Sequence, residues 1–107
     1  MQTKEFTDLQ RGLNACADSM GFPRAVTPFD PLTNDAHCMM LERTFQFEVM
    51  PPWRDAGRGH WFVGCPMPPE GKLMRFGAET RNEATCRCAA HLGEQMLIKF
   101  AKQAKAA

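Results

Sequence analysis

The sequence predicts an α+β domain, a two-layer sandwich with two helices packed on one face of a three-stranded antiparallel sheet. Three observations carry this reading. Phe6, Leu9, Leu13, Cys16, Ala17 and Met20 recur at three- and four-residue steps near the start of the chain. Ala84, Cys88, Ala89, Leu92 and Met96 do the same near its end. Between these stripes lie three strand-like segments separated by short loops, which favours antiparallel pairing with both helices on the one apolar sheet face. At 107 residues the chain is one domain, residues 1–107, with a single modest core.

The first helix is capped by Thr3 or Thr7, and Thr7 with Gln10 has capping-box spacing. Gly21 followed by Pro23 stops it, since glycine accepts the left-handed conformation after the last turn and proline cannot continue. Residues 22–37 read as a long insertion punctuated by Pro23, Pro28 and Pro31, with Arg24–Phe29 open to an alternative reading as a short edge strand. Cys38–Met50 is expected to hold the first strand, because Phe45, Phe47 and Val49 alternate with Thr44, Gln46 and Glu48. Arg43 interrupts that phase and marks either a bulge or the true strand start. Glu42 and Glu48 are then solvent-face strand residues.

Residues 51–59 form a loop with two prolines and two glycines. His60–Cys65 is the second strand, and Lys72–Gly77 the third, after a turn at Glu70-Gly71. Thr80-Arg81-Asn82-Glu83 is a capping box that opens the last helix. Gly93 costs that helix about 1 kcal/mol relative to alanine, so it is expected to mark a close approach to the sheet. Lys99, Lys102 and Lys105 suit the negative end of the helix dipole, and residues 103–107 are expected to fray.

Composition narrows the function classes. Apolar residues make up 44% of the chain, which disfavours disorder. No run approaches the roughly 18–20 apolar residues of a membrane span, and no signal peptide is visible at the N-terminus. The five cysteines are an odd number spread through regular segments, so reduced thiols in the cytoplasm are expected. A net charge of +1 is low for a dedicated nucleic-acid binder.

Cys86-x-Cys88-x-x-His91 invites a zinc reading. Residues two apart on a helix point about 200° apart, so Cys86 and Cys88 cannot converge on one ion. Cys88 is expected in the core and Cys86 at the surface or boundary. A Cys–His nucleophile would need Cys65 or Cys38 beside His60 or His91, and nothing in the sequence places them together. No glycine loop for phosphate and no carboxylate pair stands out. No enzyme activity, metal or other cofactor is expected.

Several stretches taken together resemble the double-stranded RNA-binding domain: Leu13–Ala17 with Gly21-Phe22-Pro23, Gly59-His60 before a strand containing Phe62, Gly71-Lys72-Leu73, and Thr80–Ala84 with Cys88-Ala89. The resemblance runs from Leu13 to about Leu97 and implies the α-β-β-β-α order. It also implies phosphate-binding lysines at the start of the last helix. Arg81 is the basic residue present there, while Asn82 and Thr85 stand where lysines are expected.

The functional expectation is a small non-catalytic protein that acts through protein–protein interaction, an inhibitor or adaptor of the sort phages and plasmids direct at host machinery. The expected partner is a host protein or ribonucleoprotein complex, with no membrane involved. The alternative is a nucleic-acid-binding module. The protein-binding reading rests on the loop that carries Trp53, and the nucleic-acid reading on Arg54, Arg58, His60 and Arg81. Trp53, Arg54, Arg58 and His60 sit in a proline-stiffened loop and combine apolar area with planar hydrogen bonding, as binding hot spots do. Arg81 joins them through the resemblance.

Overall fold

The computed structural model describes residues 4–52 and 60–106, with side chains over 9–52 and 60–102. The element order is α1 (Lys4–Ser19), α2 (Asp35–Thr44), β1 (Glu48–Met50), β2 (Trp61–Met67), β3 (Lys72–Ala78) and α3 (Arg81–Ala106). The sheet is antiparallel in the order β1-β2-β3. Helix, three antiparallel strands and helix thus follow the expected order, with α2 added between the first helix and the first strand.

Register divides the sheet into two faces. Val63 pairs with Val49 and Phe76, and Cys65 with Met74, so these side chains face the helices. Phe62 pairs with Met50 and Gly77, Gly64 with Glu48 and Arg75, and Pro66 with Leu73, on the opposite face. Val63, Cys65 and Met67 are buried, whereas Phe62 and Pro66 are exposed. α3 lies on β2 and β3, and α1 packs along α3. Leu13, Cys16 and Ala17 of α1 join the core as their spacing predicts. Gly21 ends α1 with φ of 73°, in the left-handed region.

Gly93 does mark a close approach, but to α1 rather than to the sheet. A Cβ on Gly93 would lie 1.9 Å from the Gly12 carbonyl oxygen, and one on Gly12 would lie 2.1 Å from that of Ala90. Cys16 and Ala17 on one helix, Ala89 and Ala90 on the other, continue the small-residue seam. The Cys16 thiol donates to the Ala89 carbonyl at 3.1 Å.

The expected strand across Cys38–Met50 is largely a helix. Asn34 caps α2 by accepting from the His37 amide at 3.2 Å. Cys38, Leu41 and Glu42 then turn inward at three- and four-residue steps. Met39 and Met40 point outward. Gln46 takes φ of 54°, and the Phe47 amide donates back to the Glu42 carbonyl at 2.9 Å, which closes the helix before β1. The edge-strand reading of Arg24–Phe29 also fails, because that stretch is turns and irregular chain. It is anchored by Phe22, Phe29 and His37, whose rings pack with centroids 4.9–5.4 Å apart.

Candidate functional site

α2 is tied to the start of α3 by a polar seam. Glu42, only 8% exposed, is a buried helix residue and not the solvent-face strand residue expected. Arg81 grips its carboxylate through two guanidinium nitrogens, with Nε to Oε2 at 3.0 Å. Thr85 donates its hydroxyl to Glu42 Oε2 at 2.9 Å, and the Cys38 thiol approaches the same oxygen at 3.6 Å. Burial pushes the Glu42 carboxyl pKa up, but the hydrogen bonds from Arg81 and Thr85 outweigh it and hold the pKa below its ordinary value. Asn82 Nδ2 donates to the Leu32 carbonyl at 3.1 Å and to Asp35 Oδ1 at 2.9 Å. The start of α3 is therefore largely committed to holding α2 and the chain before it.

That seam also corrects the expectation for Cys86. It is buried, because α2 and the preceding irregular chain cover a second flank of α3. Burial pushes the Cys16 and Cys86 thiols up to about 12 and the Cys38 thiol up to about 11. The Cys88 thiol donates to Cys65 across 3.9 Å, and that bond together with burial raises its pKa as well. Cys16, Cys38, Cys86 and Cys88 are thus protonated at neutral pH. Among the described residues no three His, Cys, Asp or Glu side chains gather in a metal-binding group.

An exposed apolar surface lies along β3 and the C-terminal half of α3. β3 is an edge strand, and among the described residues nothing pairs with its outer side. Its first half is exposed on both faces, with Leu73 at 42% and Met74 at 38%. Along the inner face, Phe76 meets the His91 ring of α3 at 5.4 Å. Toward the start of β3, the turn at Pro68-Pro69 and the α3 residues Gln95, Ile98, Lys99 and Lys102 enclose a pocket of about 290 Å³. Ile98 is 46% exposed at this pocket, and no acidic side chain lines it. The pocket and the exposed start of β3 lie at the same end of the sheet.

Of the predicted binding residues, His60 and Arg81 fall elsewhere. Trp53, Arg54 and Arg58 lie outside the described residues. His60 is exposed just before Trp61, which pairs with Ala78, so His60 and Arg81 share one end of the sheet. The pocket occupies the opposite end. Arg81 is not free to act as a plain cation, since it is held by Glu42. The sequence does not reveal this surface because its signal is topological: it marks Lys72–Gly77 as a strand but not as an unpaired edge. Among the described residues no helix is long and apolar enough to cross a membrane. Comparison of the chain with protein-family profiles, curated proteins and solved structures finds no match.

Proposed function

We propose that this protein is a non-catalytic binding protein that acts through protein–protein contact, as an inhibitor or adaptor of a host protein or ribonucleoprotein complex. The observation that carries this reading is the β3 edge, where Leu73 on the outer face and Met74 on the inner face are both exposed. Apolar side chains next to unpaired backbone donors and acceptors are what a protein partner covers. The segment holding Trp53, Arg54 and Arg58 offers a second contact.

The alternative is duplex RNA binding in the manner of the double-stranded RNA-binding domain. That mode needs cations projecting from the start of the last helix. Here Arg81 is ion-paired with Glu42, and Asn82 and Thr85 hydrogen-bond to the α2 region. These contacts weigh toward a protein partner.

The test is affinity capture by the full chain from source-cell lysate, with and without nuclease, alongside a salt titration of duplex RNA binding. A protein retained in stoichiometric amount after nuclease treatment is the expected result. Retention that disappears with the RNA, together with a steep salt dependence of RNA affinity, would overturn the reading.

A further inference from the structure

Resting on the protein-binding reading above, we propose that the β3 edge, with the pocket near its start, binds an extended peptide with an acidic C-terminal end, added as a fourth strand antiparallel to β3. The unpaired edge asks for backbone. Over Lys72–Ala78 it offers a row of N–H and C=O groups, which a peptide satisfies by strand addition. The edge carries no proline or bulge to repel a strand, and its only cations are Lys72 and Arg75.

Direction and charge follow from where the pocket sits. β3 leaves the Pro68-Pro69 turn at Lys72, so the pocket flanks its start. A strand added antiparallel runs toward that turn and delivers its C-terminal end to the pocket. There Lys99 and Lys102 face it with no acidic side chain in the lining, which suits a terminal carboxylate or an adjacent Asp or Glu. Along the way, Leu73 on the outer face and Met74 on the inner face contact alternate peptide side chains. Ile98 adds an exposed apolar side chain at the pocket itself.

The full chain is to be panned against short random peptides displayed with free C-termini. Enriched peptides are then synthesised, titrated calorimetrically, and mapped by amide chemical shift and hydrogen exchange. The expected peptides alternate apolar residues and end in acidic ones, and they shift and protect amides of β3. Reversing the pocket charge with Lys99→Glu plus Lys102→Glu touches only exposed side chains. It should weaken acidic-ended peptides by about tenfold or more and enrich basic-ended ones instead.

Absence of enriched peptides, shifts confined to another surface, or binding indifferent to the charge reversal would each overturn the proposal. So would a concentration-dependent dimer with β3 protected by a second copy of the chain. If wild type and the charge-reversed variant capture the same lysate protein equally, the peptide proposal fails while the general reading stands. If neither captures a protein and no peptide is enriched, both fail.

Discussion

Gly12 and Gly93 bring α1 and α3 together so closely that a Cβ on Gly93 would lie 1.9 Å from the Gly12 carbonyl oxygen. The obstacle is backbone, so it cannot swing aside as a long side chain would. Gly93→Ala and Gly12→Ala should therefore each destabilise the fold by about 1–3 kcal/mol, despite the gain of about 1 kcal/mol in helix propensity. Denaturant midpoints check this. A neutral or raised midpoint for either variant would show that the helices are not pressed together as described.

That glycine pair also shows what a one-dimensional reading reaches. Gly93 was recognisable as a place where something comes close, because a glycine inside a strong helix has a cost that packing must offset. The neighbour was not recognisable, since nothing local tells α1 from the sheet. The α1 stripe, β2, β3 and the Thr80 cap were legible for the same reason: each is a local pattern. The Glu83 amide does bond the Thr80 hydroxyl, at 3.1 Å. α2 was misread because Met39 and Met40 are apolar yet exposed, which hid the helical spacing of Cys38, Leu41 and Glu42. With α2 misplaced, the burial of Glu42, Thr85 and Cys86 could not be foreseen.

Glu42 makes stability depend on acid. Its pKa is lowered in the folded protein, so its contribution is fully present above the unfolded carboxylate value of about 4.3 and is lost as pH falls through the folded value. Glu42→Gln should cost about 2 kcal/mol near neutral pH, a figure held down by the partial exposure of Arg81. The gap between variant and wild type should narrow below about pH 4. Denaturant curves across that range test it, and a gap independent of pH would remove the ion pair from the account.

The Trp53–Arg58 stretch gives a prediction about binding alone. If it forms part of the partner interface, Trp53→Ala or Arg58→Ala should weaken capture of the partner by about 1 kcal/mol or more, with unchanged thermal stability. Capture as strong as wild type by both variants would leave the β3 edge as the sole contact.

The buried thiols set the alkaline limit of the fold. Cys16 and Cys86 have pKa values of about 12 in the folded chain, against roughly 8.5 when unfolded. Between those values the unfolded state has lost thiol protons that the folded state still holds, so stability falls as pH rises through the window. Below about 8.5 both states hold these protons and the effect is absent. Stability should therefore decline with pH above about 8.5, and Cys86→Ala should flatten the slope while lowering stability at neutral pH through the small void it leaves. Thiol reagents give an independent reading. All five cysteines are buried and unoxidised, so at neutral pH labelling should follow the rate or extent of chain opening, and denaturant should expose them together. Fast labelling of Cys86 in the native protein would mean that α2 does not cover this flank of α3. The polar seam at Glu42, Arg81 and Thr85 would then lose its structural role.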